Sequence, residues 1–306
     1  MLEENTPEVK LSRTKKFFQF PVTRIFIGFV FVALAILPVF IPMVLIGRLI
    51  SGEAKPPEPW IMLIYLIMTC TVTLSYYLYV RWIEKRPLYE LSKPGALKEL
   101  GVGCSVGFGL ITTVILILWI LGYYKIIAVS SGLVLLLPLF DGIFTGFFEE
   151  IAFRGILFRI MNKSLGSWLA ILISSLLFGL AHIGNPNASV YSSIAITLEA
   201  GIILSAAYLF THRLWMVIGM HFAWNFTLGG IFGVAVSGKE TEGLFQSQLQ
   251  GPELFTGGSF GAEMSIITVI LCLIIGIFLM WKARKRGNFV QPFWRRAKET
   301  KIVNES

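Results

Sequence analysis

Apolar residues run through this chain in long blocks. Eight of them, each about 20 residues, lie at approximately 24 to 47, 59 to 80, 101 to 123, 127 to 149, 166 to 184, 188 to 210, 214 to 236 and 263 to 281. At ~1.5 Å rise per residue each is long enough to cross a hydrocarbon core of ~30 Å. The pattern predicts an all-α fold, a polytopic membrane helical bundle with about eight transmembrane helices. Pro38, Pro42 and Pro138 fall inside blocks, where a membrane helix tolerates them as kinks. The polar stretch 84–100, with Pro87 and Pro94, reads as one connecting loop, and the Gly-, Gln- and Glu-rich stretch 237–261 as another. The first block follows Lys15, Lys16 and Arg24 as a signal peptide would, but it is too long for one and no small-residue cleavage site follows. It is expected to remain in the mature protein.

Composition agrees with a lipid solvent. Of 306 residues 55% are hydrophobic and 14% charged, with a mean hydropathy of +0.74, where a soluble domain carries roughly a quarter charged residues. The net charge of +8 could suggest a nucleic-acid partner, so the position of each cation relative to the blocks decides its meaning. With eight spans both termini share a side, and all but four of the 26 lysines and arginines fall on it. Arg48, Lys55, Lys125 and Lys239 fall on the other side, among Glu53, Glu58, Glu240, Glu242, Glu253 and Glu263. The positive-inside rule then makes both termini cytoplasmic in a multi-pass protein of the plasma membrane. The basic charge sets topology, no nucleic-acid partner is implied, and the segment Lys282 to Arg286 is placed to touch anionic lipid. Three domains follow: a cytoplasmic segment 1–23, a bundle 24–281, and a basic cytoplasmic tail 282–306. Cys70, Cys104 and Cys272 lie in three different blocks with no partner at ligand spacing, so neither a disulfide nor a thiolate site is expected.

Ionisable residues inside spans cost about 2.5 to 3.5 kcal/mol each, and a cluster of them marks function. Block four ends on Phe147-Phe148-Glu149-Glu150-Ile151-Ala152-Phe153-Arg154, block five on Phe178-Gly179-Leu180-Ala181-His182, and block seven holds His221-Phe222-Ala223-Trp224-Asn225. Residues four apart share a helix face, so Glu150 faces Arg154, Phe178 faces His182, and His221 faces Asn225. Glu149 is turned about 100° from Glu150, which lets one carboxylate enter a cavity while the other pairs with arginine. A short turn near Asn162 to Gly166 makes blocks four and five antiparallel and puts Glu149 and His182 both roughly 20 to 24 Å from it. His221 lies roughly 12 Å inside block seven. A shared site within the bilayer follows, in which Glu149 acts as general base on a water that His182 holds or relays a proton from. His221 and Asn225 donate to the tetrahedral oxyanion, and Glu150 with Arg154 forms a buried pair that fixes the helix. Because that turn lies on the basic side, span four either projects beyond the membrane or the cavity opens sideways to lipid.

These three motifs, EExxxR at Glu149 to Arg154, FxxxH at Phe178 to His182 and HxxxN at His221 to Asn225, resemble the CPBP family. This is the CAAX-protease and bacteriocin-processing group of intramembrane glutamate endopeptidases, also called Abi. The resemblance covers roughly residues 138 to 230, the protease core, and implies an eight-helix bundle for the membrane domain as a whole. It implies that the glutamate and first histidine activate water while the second histidine and the asparagine stabilise the oxyanion. The eukaryotic branch trims prenylated CAAX tails, and some bacterial members are linked to bacteriocin maturation or self-immunity. The substrate implied is a peptide or lipidated protein at the bilayer, with no cofactor. The oligomeric state is left open.

Other readings of the same residues differ in function. One is a non-catalytic peptide-binding scaffold or immunity protein of the same fold, and retention of both Glu149 and His182 favours the enzyme over it. A glutamate with two histidines could instead hold zinc, although no H-E-x-x-H occurs. A small-solute transporter would show two similar halves, and the polar cluster is confined to the second half of the chain. His212, in a turn beside Arg213, reads as a packed or capping residue, as Asn185 and Asn187 around Pro186 read as turn residues. Glu199, mid-way along block six, either orients His221 or pairs elsewhere in the bundle. Phe153, Phe178 and Trp224 read as packing.

Overall fold

A bilayer offers backbone N–H and C=O groups no partners, so apolar runs in it coil into helices that bond their own turns. The computed structural model describes residues 20–52 and 56–296. Lys10, Arg13, Lys15, Lys16, Glu53, Lys55 and the tail beyond residue 296 lie outside the described residues. Among the described residues seven helices are long and apolar enough to cross a membrane: α1 (Pro21–Ser51), α2 (Glu58–Glu84), α3 (Ala96–Ile120), α4 (Gly132–Leu165), α6 (Val190–Thr211), α7 (Leu214–Ile231) and α8 (Ile266–Lys285). Between α4 and α6 runs the shorter apolar α5 (Ser167–Ala181), about 22 Å long. The chain is a multi-pass membrane protein folded as a polytopic helical bundle. Large apolar side chains such as Phe26 and Leu34 of α1, Trp119 of α3 and Ile274 of α8 face outward, as lipid contact requires.

Four expectations need correction. The fourth block, expected at 127 to 149, divides: Tyr124–Val129 forms strand β1, and α4 then runs through Glu149, Glu150 and Arg154 to Leu165. The charged residues that end the apolar run do not end the helix, because Glu150 and Arg154 satisfy each other inside the bundle. Arg154 is therefore a buried mid-helix cation and not one of the cytoplasmic set. Strand β1 pairs antiparallel with β2 (Phe245–Leu249), from Tyr124 opposite Leu249 to Val129 opposite Phe245. The fold thus carries a small two-stranded sheet that hydropathy alone hides, built partly from the stretch expected to be an irregular loop. Finally, α8 continues through Lys282, Ala283, Arg284 and Lys285, so the start of the expected tail is the last turn of a helix.

Helix α7 sits at the centre, packed on α3, α4 and α6, while α8 lies on α6 and α2 on α1 and α4. The approach of α3 to α7 is close because Gly103 and Gly107 form a G-x-x-x-G face. A Cβ at Gly103 would meet the Met216 carbonyl at 2.1 Å, and one at Gly107 the Met220 carbonyl at 2.3 Å. Gly219 answers from α7, where a Cβ would lie 2.4 Å from the Leu100 carbonyl.

The two ends of the bundle differ. At one end Glu84, its side chain 1% exposed, accepts from Arg24, from Arg86 at 2.7 Å and from Arg159 at 2.7 Å. Arg86 also reaches Glu90 at 3.0 Å, and this network ties α1, α2 and α4 together. The turn between α4 and α5 lies at the same end, with Gly166 at φ 81° fitted beneath Val290 and Pro292 from beyond α8. His212 closes α6 there in the left-handed region (φ 54°) with its ring against Tyr208, the capping role expected of it. Burial pushes its imidazole below the usual histidine range. At the other end, the sheet end, lie the two-stranded sheet, the loop 183–189 after α5, and the loops between α7 and α8.

Candidate active site

The six expected site residues come from three helices that converge towards the sheet end of the bundle. On α4, Glu149 and Glu150 are followed at once by a π-helical segment, Ile151–Phe158, and on α7 a second one, Phe226–Ile231, begins directly after Asn225. A third, Thr197–Gly201, contains Glu199 of α6. Such turns shift the backbone ladder by one residue and free a carbonyl, which is why they recur beside functional groups. Here the freed carbonyls have a use. Arg154 donates from Nη2 to the Ala200 and Gly201 carbonyls at 3.1 and 3.4 Å, and from Nη1 to Glu150 Oε1 at 3.0 Å. Its guanidinium also lies over the Phe178 ring, 4.3 Å from the centroid.

Glu150 Oε1 is shared. Besides Arg154 it meets His221 Nδ1 at 2.7 Å, and because a carboxylate only accepts, that imidazole carries its proton on Nδ1. His182 is held in the same sense, its Nδ1 donating to the Phe178 carbonyl at 2.8 Å. With both Nδ1 atoms occupied, both Nε2 atoms are turned to one point. His182 Nε2 lies 3.8 Å and His221 Nε2 3.9 Å from Glu149 Oε2, an oxygen buried without a hydrogen-bond partner among the described residues. The Phe178 ring fills the space between the histidines, 4.9 Å from His182 and 6.2 Å from His221. Phe178 and Phe153 are thus packing residues, as expected, although the Phe178 backbone also orients a histidine.

Glu149, His182, His221 and Asn225 line a cleft of about 270 Å³ that ends on Ser237 and Lys239. Through Asp141, Asn225 and Lys239 it joins a larger recess of about 520 Å³ reaching Glu58 and Glu242. Its lining loops, at Asn185 and Ser237 to Thr241, belong to the sheet end of the bundle, away from the α4–α5 turn. Asn185 and Asn187 hold its rim, donating to the Ser237 and Gly238 carbonyls at 3.0 and 3.1 Å. They act as loop clamps as well as the expected turn residues.

Glu199 does not orient His221, whose Nδ1 is already taken by Glu150. It is fully buried, with neither oxygen hydrogen-bonded among the described residues, and lines a cavity of about 20 Å³ with both histidines and Glu263. Glu263 was expected at the very start of the eighth apolar block, among the acids of the cation-poor side. It is 4% exposed, accepting from Trp224 Nε1 at 2.8 Å and from the Ser237 backbone. Burial pushes its carboxyl above the usual range. Nothing local in the sequence marks Glu263, but Asp141 did carry a signal. It is an acid inside a span, eight residues before Glu149 and therefore on the same helix face.

This geometry covers the stretch that a family comparison matches. Residues 130–227 match the family described as type II CAAX prenyl endopeptidase Rce1-like. All six expected site residues lie within the Rce1-like segment, and the match suggests a CAAX-protease-type endopeptidase of the membrane. No curated protein and no solved structure matches the chain. Among the described residues no three histidine, cysteine or carboxylate side chains are grouped to hold a metal ion.

Proposed function

We propose that the chain is an intramembrane endopeptidase that hydrolyses peptide bonds in membrane-associated or lipid-modified substrates, with Glu149 and His182 activating water. The observation that carries this reading is the convergence of two histidine Nε2 atoms on Glu149 Oε2, at 3.8 and 3.9 Å, with each ring held from behind. A water bound among these three groups can pass a proton to Glu149 as its oxygen attacks the substrate carbonyl carbon. The carbonyl π electrons move onto oxygen. As the C–N bond breaks, the captured proton reaches the leaving nitrogen through His182, whose bare Nε2 can take and return it. The products are a carboxyl group and an amine.

The oxyanion needs donors. His221 can donate from Nε2 only as an imidazolium, and Glu150 at 2.7 Å supplies the counter-charge for it. Asn225, one helical turn on, presents its amide from the same face. Donors preorganised in a water-poor site are worth about 2.7 to 4 kcal/mol of barrier each.

The test is cleavage of membrane-tethered fluorogenic peptides by purified wild type, Glu149→Gln and His182→Ala, each with and without a chelator. Cleavage that survives chelation and disappears in both variants supports the reading. Loss on chelation with recovery on added zinc transfers the site to the metal reading, and peptide binding without cleavage by wild type transfers it to a scaffold.

A further inference from the structure

We infer that the cleft faces the extracytoplasmic side of the membrane, so that its substrates are peptide segments presented there and not tails presented at the cytoplasmic surface. The substrate clause rests on the endopeptidase reading, whereas the sidedness stands without it.

The cations of the described chain gather at one end. Arg24 at the start of α1, Arg81, Lys85 and Arg86 after α2, Arg159 and Lys163 at the end of α4 all lie there, as does the cationic last turn of α8. Contacts across the sequence join them to one surface. Arg159 and Arg24 meet on Glu84, Arg213 donates to Ser92 and Pro94 carbonyls, and Asn288 donates to Leu209 at 2.9 Å. Among the described residues, Arg48, Lys125 and Lys239 are the cations at the other end. Membrane insertion retains the cation-rich end in the cytoplasm. Because the eight apolar helices of the described residues are tied into one bundle, the orientation of one end sets that of the other.

The cleft belongs to the cation-poor end. Its walls are the first half of α4 at Asp141, the loop after α5 at Asn185, and the loop beyond α7 at Ser237 to Thr241. From there it widens towards Glu58 at the start of α2 and Pro138 near the start of α4. The opposite route is shut. Between Glu149 and the cytoplasmic surface stand the buried Glu150–Arg154 pair, the fully buried Ile156 and Phe158, and then the Glu84 network. A peptide arriving at the basic surface meets packed side chains and arginines, whereas one arriving at the sheet end meets a recess of about 520 Å³.

The experiment is cysteine labelling of the full chain in its host membrane, with the native Cys70, Cys104 and Cys272 as background in wild type. Glu240→Cys probes the cleft rim and Lys93→Cys the basic end, and both native residues are exposed. A membrane-impermeant maleimide added to intact spheroplasts should label Glu240→Cys at least tenfold above wild type and Lys93→Cys only after permeabilisation. The reverse pattern, or labelling of Glu240→Cys only after permeabilisation, overturns the inference. Two co-expressed reporters, each a membrane-anchored peptide library displayed on one side only, test the substrate clause. Cleavage of the outward library, absent in Glu149→Gln, is expected; cleavage of the inward one alone overturns the clause. If neither is cleaved, the endopeptidase reading fails while the labelling still decides the sidedness.

Discussion

Arg154→Met isolates the interaction that holds the candidate site together. Arg154 and Glu150 are both fully buried and 3.0 Å apart, and the arginine also carries two carbonyl bonds and its contact with Phe178. Removing it leaves the Glu150 carboxylate with His221 alone, and breaking a buried pair by deleting one partner costs about 3 to 5 kcal/mol. Glu150→Gln in the same background removes the stranded charge, so the double variant should be more stable than the sum of the two single changes allows, with a coupling of about 1 to 3 kcal/mol. The assay is reversible unfolding in mixed micelles for wild type, both single variants and the double. Proteolysis is measured in parallel. Stability should partly return in the double variant, but activity should not, because His221 then lacks its counter-charge. Additivity within about 0.5 kcal/mol, or a cost for Arg154→Met under about 1 kcal/mol, would refute the argument that Arg154 and Glu150 are energetically coupled as a buried charge pair.

Three further outcomes follow from the same structure. Asn225→Ala should lower kcat by about 10²- to 10³-fold with little change in KM, as loss of one oxyanion donor does; a change confined to KM contradicts that role. Gly107→Val places a Cβ 2.3 Å from the Met220 carbonyl; it should push α7 off α3, cost about 1 to 3 kcal/mol or more and lower the unfolding midpoint, and an unchanged midpoint contradicts the close approach. Glu84→Gln strips the carboxylate from Arg24, Arg86 and Arg159; it should cost about 1.5 to 3 kcal/mol in the same unfolding assay, and a change below about 0.5 kcal/mol would make the network a surface ornament.

Much of the candidate site was legible because charge inside an apolar run is rare. Glu149, Glu150, Arg154, His182, His221 and Asn225 stand out against their surroundings, and their four-residue spacing follows from helical periodicity alone. The 100° offset between adjacent glutamates likewise predicted which would pair with arginine and which would face the cleft. Residues that act through long-range contacts gave less warning. Glu263 lies 39 positions from Trp224, whose indole it accepts from, and Glu199 differs from an ion-paired acid only through what surrounds it. The expected division of labour missed that Glu150 serves two partners, since the reach of His221 from another helix is not a local property.

Hydropathy, charge placement and helical spacing thus determined the membrane bundle, its basic end and which polar residues to examine as a candidate site. Each depends on a residue and its near neighbours in the chain. Tertiary structure alone decided that α4 continues through its charged residues, that Tyr124–Val129 pairs with Phe245–Leu249, and that the cleft is lined by loops of the sheet end. In the first case buried charges are paid for by a partner, and in the second the strands meet across more than a hundred residues. An opening is the space left between packed elements, so only their packing can say where it lies.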